Sequence, residues 1–459
     1  MEFGLLSVLP PLLAIALAIV SRDVVISLLT GIFAGFLILN NFNPLDAVIA
    51  LLDNIISLFA EGWIAKTLLF SLMVGAVMRL VVDSGGVAGL VHFLTQKSRT
   101  IRSGKGALIL AYIIGLLIFI ESSITSLVAG TVTRPLCDKF GVSRQKLAYV
   151  CDATSAPVCS LIALNGWGAL LIGLITAQVT DGMLSGSPTR IFIESIPFNF
   201  YALIAIALVL VVILRGWDVG SMRHYERQVT PTKLPLPADG GHISRMLVPL
   251  VVLIGMMPVS LYYTGNGNFL EGSGSTAVFY AVLASLFVSF LQYVLGGVMS
   301  REAWFKSFYH GLSDMLPIVL ILVLAFTIGN VTKSMGTGQY LASLAGDLVS
   351  PSLIPVIVFL LSSVIAFATG TSWGTFSIML PIGVSLAVST GANVELVIGA
   401  VVSGGVFGDH CSPISDTTII SSMAAGCNHI EHVNSQLPYA LMGGTLAAGL
   451  FVLAGLLLA

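Results

Sequence analysis

Long apolar runs recur along the whole chain and are separated by short polar breaks. The runs are about 16 to 22 residues long, the length that an α-helix needs to cross the hydrocarbon core of a bilayer. The pattern therefore predicts an all-α polytopic membrane protein. Composition agrees, because 56% of the residues are hydrophobic and 9% are charged, whereas a soluble protein has about 25% charged residues. We expect one transmembrane domain over residues 1–459 and no enzymatic activity.

The first half of the pattern, residues 5–214, contains several spans and one amphipathic piece. The predicted spans are Leu5–Val20, Val24–Leu39, Ile64–Val82 and Phe200–Leu214. Pro44–Gly62 differs from them, because Asp46, Asp53 and Glu61 interrupt its apolar face. Such a pattern is typical of a helix that lies in the membrane interface.

Two clusters of basic residues flank the apolar run Ala107–Val132. The clusters are Lys97, Arg99, Arg102 and Lys105 before the run, and Arg134, Lys139, Arg144 and Lys146 after it. The positive-inside rule places both clusters in the cytoplasm. The run should therefore enter the membrane and return as a re-entrant hairpin. Its tip is predicted at Glu121–Thr125, where polar side chains satisfy backbone groups that lose their helical partners.

A long apolar stretch, Leu147–Gln178, follows the hairpin and is interrupted by polar residues and a proline at Cys151–Pro157. This interruption predicts a broken transmembrane helix. After the next span, residues 215–245 carry several basic side chains and three prolines. We expect this segment to be a cytoplasmic linker between two halves of the protein.

The second half, residues 246–459, repeats the order of the first. Its predicted elements are the spans Met246–Tyr263, Ala277–Leu295, Leu316–Val331 and Leu437–Leu458, the amphipathic piece Arg301–Asp314 and a hairpin Leu353–Ser389. The hairpin tip falls at Thr369–Trp373, and Ser122 and Thr125 correspond to Ser372 and Thr375 at an offset of 250. Because this hairpin lacks Lys and Arg, its ends should face outside. The two halves are therefore predicted to be inverted repeats, each with a re-entrant hairpin and a broken helix.

The broken helix of the second half is Gly404–Thr418, in which polar residues and Pro413 lie between two apolar flanks. A proline removes an amide donor and opens the helix. Such a break is costly in hydrocarbon unless it lines a cavity. Paired discontinuous helices in inverted repeats are typical of secondary transporters that bind their cargo near the midplane of the membrane.

Asp409 and Asp152 are the leading candidates for ion binding. A carboxylate inside the membrane is expensive unless it is paired or solvated, and it can hold either Na+ or H+. The alternative is that each carboxylate only caps a half-helix. Asp416 could equally be the N-cap of the second half-helix or an ion ligand.

Hydroxyl groups at the tips and breaks could complete the ion site. They belong to Ser412, Thr371, Ser372, Ser122, Ser123, Thr154 and Ser155. Each one alone more often satisfies local backbone groups, but together at matched breaks they favour a site. Glu121 has Thr371 as its counterpart, and it is either a proton-coupling group or a buried neutral carboxyl.

Three other patterns are weaker. Gly370–Gly374 matches the G-x-S-x-G motif of serine hydrolases but lacks the strand-turn-helix context. Cys427, His429 and His432 do not have a common zinc spacing. The two histidines are expected on a solvated face at the cytoplasmic mouth, and a pH sensor is the less favoured alternative. The five cysteines are expected to be free thiols. No cofactor and no nucleic-acid partner is predicted.

The sequence of the second broken helix resembles the NhaC-type sodium/proton antiporter family. The resemblance rests on Gly408–Thr418, Ser421–Val433, Gln436–Tyr439 and Gly370–Thr375. It implies a multi-pass protein of the bacterial cytoplasmic (inner) membrane that exchanges Na+ for H+ by alternating access. The alternative is a Na+- or H+-coupled transporter or exchanger of a small organic carboxylate or amino acid. Membrane lipid and a second copy in a homodimer are the other expected partners.

Overall fold

The computed structural model of the protein describes residues 3–21, 23–89, 103–119, 121–229, 231, 241–268, 272–337, 340 and 350–458. Within these ranges the regular secondary structure is helical. Eight helices of the described part are long and apolar enough to cross a membrane, and two bent pairs bring the number to as many as ten. The prediction of an all-α polytopic membrane protein is therefore confirmed.

The helices of the first half are α1 Leu9–Ser21, α2 Val24–Leu39, α3 Pro44–Leu58, α4 Gly62–Asp83, α5 Gly104–Leu117, α6 Ser122–Phe140, α7 Arg144–Ala153, α8 Ala156–Ser160, α9 Gly166–Thr180, α10 Pro188–Ser195 and α11 Phe200–Arg215. A short helix α12, Ser221–Gln228, lies in the predicted linker. The helices of the second half are α13 Ser244–Thr264, α14 Gly274–Phe290, α15 Arg301–Ser334, α16 Ile354–Thr369, α17 Ser372–Thr390, α18 Val394–Cys411, α19 Asp416–Ala425 and α20 His429–Leu458. Short 3₁₀ segments occur at Gly4–Val8, Ile196–Phe198 and Pro351–Leu353, and a π-helical turn at Leu291–Leu295.

The amphipathic segments of the two halves end differently. In the first half α3 bends by 117° from the preceding span, and it begins with Asn43 as N-cap and Pro44 in its first turn. A turn at residues 59–61 then separates it from α4. In the second half the expected separate piece Arg301–Asp314 is wrong, because it continues into the next span as the single helix α15. No turn residue interrupts α15, and Pro317 is accommodated within it.

Both hairpins are present, and their second arms match closely. The arms α6 and α17 each have 19 residues, contain one proline and end at a left-handed glycine. They begin at Ser122 and Ser372, which are 250 residues apart. The first tip lies earlier than expected, between the end of α5 at Leu117 and the start of α6 at Ser122, because Ser122–Thr125 already form the first turn of α6. The second tip is shorter and consists of Gly370 and Thr371.

The first broken helix opens in two places. The predicted break is present only as a short interruption at Thr154 and Ser155, between α7 and α8. A longer break follows at residues 161–165, before α9 begins at Gly166. The second broken helix opens at residues 412–415, and α19 begins at Asp416, which is 250 residues after Gly166. The counterpart of the break after Asp409 is therefore the longer opening and not the one beside Asp152.

The starts of α2, α5, α6, α7 and α9 recur 250 residues later in α14, α16, α17, α18 and α19. The opposite orientation of the halves and the division at residues 215–245 stay predictions. The basic residues Lys97, Arg99 and Arg102, on which the orientation partly rests, lie outside the described residues, as does most of the segment 230–240. The five cysteines are free, as expected.

The spans α4 and α15 cross at a pair of glycines. A Cβ atom on Gly75 would lie 2.3 Å from the Gly311 carbonyl oxygen, and one on Gly311 would lie 2.4 Å from that of Gly75. Each glycine therefore allows the other backbone to approach, as small residues do at helix crossings in membranes. The crossing fixes the wall of the cavity described below, since Val74 and Met315 lie beside it.

We predict that Gly75→Ala lowers the free energy of unfolding by about 1 to 3 kcal/mol, because the added methyl group overpacks the crossing. Thermal unfolding in detergent, followed by size-exclusion chromatography, measures the effect. Gly255→Ala is the matched control, because no atom lies within 4 Å of its Cβ position in helix α13. Equal melting temperatures for both variants would contradict the close crossing.

Candidate functional site

Four helices begin at one internal cavity. The cavity has about 750 Å³ of empty volume, and the first residues of α6, α9, α17 and α19 contribute to its lining. Its lining residues are Val74, Glu121, Ser122, Gly166, Trp167, Leu170, Met315, Ile321, Leu322, Thr371, Ser372, Trp373, Ser377, Asp409, Asp416 and Thr417. The two hairpin tips and the two broken helices thus meet at a single place.

Most of these helix starts are capped by their own side chains. Glu121 accepts a hydrogen bond from the Ile124 amide at 3.0 Å, and Thr371 accepts one from Gly374 at 3.3 Å. The N-cap of α19 is Ser415, whose side chain makes no capping bond. Each N-terminus carries about half a positive charge. The cavity therefore has helix dipoles directed at it in addition to its side chains.

Asn165 holds the long opening of the first broken helix. Its side chain accepts from the Gly168 amide at 2.8 Å and donates to the carbonyl oxygens of Phe119 at 2.7 Å and Cys159 at 2.9 Å. One amide group thus satisfies backbone from the hairpin tip and from both sides of the break. Sequence reasoning missed this residue, although an Asn before Gly166-Trp167-Gly168 is a helix N-cap signal.

Asp409 lies in the last turn of α18 and is 1% exposed. Its Oδ2 accepts hydrogen bonds from Ser372 at 2.9 Å and Thr417 at 3.3 Å. Its Oδ1 has no hydrogen-bond partner among the described residues. The preceding residue, Gly408, lets α18 lie against α16, because a Cβ there would be 2.2 Å from the Ser363 carbonyl oxygen. Asp409 is thus anchored through Oδ2, whereas Oδ1 is buried without a hydrogen bond to the described residues.

Glu121 and Asp416 are the other carboxylates of the cavity. Glu121 precedes α6 and caps it. Asp416 is the first residue of α19, so the alternative that it is the N-cap is wrong, because that position belongs to Ser415. The side chain of Asp416 is exposed and lines the cavity. It can therefore face a ligand.

The charges of the cavity leave a negative excess. The lining contains the three carboxylates of Glu121, Asp409 and Asp416, and no lining residue described here is a lysine or arginine. Four helix N-termini supply about +2 in total. The carboxylates exceed this by roughly one charge when all are ionised.

Several predicted residues lie elsewhere. Thr154 and Ser155 donate to the carbonyl oxygens of Val150 and Asp152, which is the local role given as their alternative. Ser412 accepts from the Ile414 amide at 3.4 Å. These residues, Ser123 and Asp152 are not part of the cavity lining. The expectation of one shell around both Asp409 and Asp152 is therefore not met by the geometry.

Asp152 instead lies in a second buried group, here called the Asp152 cluster: Asp152, His410, Ser421, His432 and Gln436. Gln436 Nε2 donates to Asp152 Oδ2 at 2.7 Å, and Ser421 donates to Oδ1 at 3.4 Å. His432 Nε2 is 3.4 Å from Oδ2, and His410 Nε2 is 4.0 Å from Oδ1. The cluster joins α7, α18, α19 and α20.

The cluster corrects one expectation. His432 was expected on a solvated face, but its side chain is 0% exposed. His432 and Gln436 are four residues apart and therefore share one face of α20, a spacing that could have indicated their common role. Within the described part of the chain, no group of three or more His, Cys, Asp or Glu side chains is placed to hold a metal ion.

The fold and the cavity define a secondary-transporter type of membrane protein, in which broken helices and hairpin tips surround a polar cavity. The chain belongs to the Na+/H+ antiporter family, whose model matches residues 158–456. Membership of this family makes the protein a secondary antiporter.

Relatives agree with this assignment. An uncharacterized protein of Haemophilus influenzae is 35% identical over 98% of this chain and 90% of its own length. A malate-2H(+)/Na(+)-lactate antiporter of Bacillus subtilis is 30% identical over 37% of each chain. An arginine/ornithine antiporter of Halobacterium salinarum is 26% identical over 35% of each chain.

Solved structures share the fold. The YdaH transporter of Alcanivorax borkumensis superimposes with a TM-score of 0.61 at 16% identity, covering 89% of this chain and 88% of its own. MtrF of Neisseria gonorrhoeae superimposes with a TM-score of 0.57 at 15% identity, covering 89% of this chain and 84% of its own. At this identity the likeness concerns the fold alone.

Thiol labelling tests the position of the cavity. We predict that Asp416→Cys reacts with a water-soluble methanethiosulfonate at least about tenfold faster than Thr154→Cys, because only residue 416 lines the cavity while Thr154 packs against Gly115 and buried groups are shielded from water. Both variants are made in a Cys427→Ser background, since Cys427 is the partly exposed native thiol. Equal rates would contradict the described cavity.

Proposed function

We propose that the protein exchanges Na+ for H+ across the cytoplasmic membrane of a bacterium by alternating access. The observation that carries the proposal is the buried Asp409 carboxylate, whose Oδ1 is unpartnered at a cavity lined by two further carboxylates. A hard cation such as Na+ prefers oxygen ligands. Family membership supports the same activity, and the name of the malate-2H(+)/Na(+)-lactate antiporter relative includes both ions.

In this proposal Asp409 binds Na+ through Oδ1, and the hydroxyl groups of Ser372, Thr371 and Ser122 add neutral oxygen ligands. Ser372 and Thr417 already hold Oδ2, so the carboxylate is oriented before the ion arrives. Such preorganisation reduces the ordering cost of binding. Glu121 and Asp416 supply the remaining negative charge around the ion.

The broken helices are the elements that we expect to move during alternating access. Alternating access requires one half of the protein to rock against the other around a fixed site. The ends of α18 and α19 and the hairpin tip at Thr371 meet at the cavity, so a movement of the broken helices changes the side from which Asp409 is reached. If the two halves are inverted repeats, as proposed, the outward-facing and inward-facing states of the protein have similar contacts between the halves.

Replacement of Asp409 tests the proposed activity. We predict that Asp409→Asn lowers Na+-dependent proton flux in everted membrane vesicles at least about tenfold, because the amide cannot provide the charge that offsets dehydration of Na+. The control is Asp53→Asn, a change of the same kind at an exposed position of α3. Undiminished flux in Asp409→Asn would remove this residue from the mechanism.

A second candidate cargo is an organic molecule. Trp167 and Trp373 pack edge to face at the wall of the cavity, with their ring centroids 5.9 Å apart. Aromatic faces attract organic cations. The negative excess of the cavity favours a cationic amino acid over a dicarboxylate.

Transport of labelled solutes separates the candidates. We predict that arginine or ornithine inhibits 22Na+ exchange in proteoliposomes and that malate and lactate at the same concentration do not, because the carboxylates repel anions. Uptake of labelled malate by the wild-type protein, and none of arginine, would contradict the charge argument. Inhibition by none of these solutes would leave Na+ as the cargo.

A further inference from the structure

The Asp152 cluster has more buried polar atoms than hydrogen bonds. Nε2 of His410, both ring nitrogens of His432 and Oε1 of Gln436 have no partner among the described residues. All three side chains are at most 1% exposed. Buried polar groups are nearly always hydrogen-bonded, and exceptions call for an explanation. The cluster is therefore a place where a change in protonation alters the hydrogen bonding.

The net charge of the cluster allows it to bind one proton. With both histidines neutral and Asp152 ionised, it carries one negative charge in a buried position. A proton shared between Asp152 and His432 makes the group neutral overall, and the 3.4 Å between Oδ2 and Nε2 can shorten to a charge-assisted hydrogen bond. Imidazole is the side chain that changes its charge near neutral pH.

The described groups that face Asp152 are hydroxyl, thiol, imidazole and carboxyl groups. Ser126 from α6 and Ser421 from α19 hydrogen-bond to each other at 3.0 Å beside the carboxylate. The titratable groups that interact with Asp152 are Cys151, His410, His432, Tyr201, Asp409 and Asp416. None of these is a lysine or arginine. Among the described groups, Asp152 therefore has no lysine or arginine as an ion-pair partner.

A second, smaller cavity reaches the cluster. It has about 230 Å³ of empty volume and is lined in part by His410, Gln436, Tyr201 and Tyr439. The hydroxyl of Tyr439 donates to the Trp217 carbonyl oxygen at 3.0 Å and accepts from the Val219 amide at 2.8 Å. These two residues belong to the segment predicted to be the cytoplasmic linker. The lining of this smaller cavity shares no residue with that of the Asp409 cavity.

We infer that Asp152 and His432 form a proton-binding site that is separate from the cation-binding cavity at Asp409. The inference rests on the proposed Na+/H+ exchange. In this inference Na+ and H+ do not compete for one carboxylate. Each ion has its own site, and binding at one site weakens binding at the neighbouring site. One proton binds as one Na+ leaves, so the total positive charge bound stays constant.

The two sites are close enough to influence each other. Asp409 and His410 are consecutive residues, and Gln436 Nε2 donates both to Asp152 Oδ2 and to the His410 carbonyl oxygen at 2.9 Å. Like charges in a low-dielectric interior repel strongly. A proton at Asp152 therefore weakens the attraction of Asp409 for Na+, and bound Na+ weakens proton binding by the same factor.

Two transport modes test the inference with Asp152→Asn and His432→Gln in proteoliposomes. The first is 22Na+/Na+ counterflow at constant pH, which needs no net proton movement. The second is 22Na+ uptake driven by a pH gradient. We expect pH-driven uptake to fall at least about tenfold in each variant, while counterflow at saturating Na+ falls no more than about twofold, because the Na+ ligands are unchanged. In Asp152→Asn the half-saturating Na+ concentration should rise, because the amide imitates the protonated carboxyl.

The controls separate the possible failures. His224→Gln alters an exposed histidine of α12 and should leave both modes unchanged. An equal loss of both modes in Asp152→Asn and His432→Gln, or normal pH-driven uptake in both, would overturn the proton site. Absence of 22Na+ counterflow and of pH-driven uptake in the wild-type protein would instead overturn the proposed Na+/H+ exchange.

Discussion

A chain that leaves the helical conformation inside a membrane has to satisfy its free backbone groups within the protein. The four openings around the cavity do so with local side chains: Glu121, Asn165 and Thr371 each cap the helix that follows them. The fourth opening, before α19, has no such cap. All four helix starts converge, so the positive ends of their dipoles point at one place. The carboxylates of the cavity lie there and are stabilised by this positive potential.

The burial of Asp409 follows from this arrangement. Its Oδ2 is held by hydroxyl groups from the first turns of α17 and α19, so both helix starts are tied to the end of α18. A shift of either helix would change the environment of the carboxylate. This link gives a physical reason for coupling between ion occupancy and the conformation of the broken helices. His410, the next residue in α18, belongs to the Asp152 cluster, so a movement of the end of α18 also changes the environment of Asp152.

The sequence pattern predicted much of the fold because apolar length and proline are local signals. The spans, the hairpins and the opening at Pro413 were found in this way, and the second hairpin tip at Thr369–Trp373 was correct. The fusion of Arg301–Asp314 with the next span could not be predicted, because helix continuity depends on packing against α4. The opening at residues 161–165 was missed since it is mostly apolar and is held by the distant contacts of Asn165.

The site was predicted in part for the same reason. Asp409, Asp416, Glu121 and the hydroxyls of both hairpin tips were identified from polar residues at breaks. The separation of Asp152 from them, and its association with His432, depend on how α7 packs against α20, and no local pattern encodes that contact. The charge balance of the cavity likewise appears only when four segments distant in the chain are brought together.

The central claim is that a monovalent cation binds at Asp409 in the cavity. The most direct measurement is equilibrium binding of 22Na+ to the purified protein at fixed pH, with Asp409→Asn as the comparison. The account predicts saturable binding to the wild-type protein that decreases as the pH is lowered, and no saturable binding to Asp409→Asn. Binding of the same affinity to both proteins would contradict it.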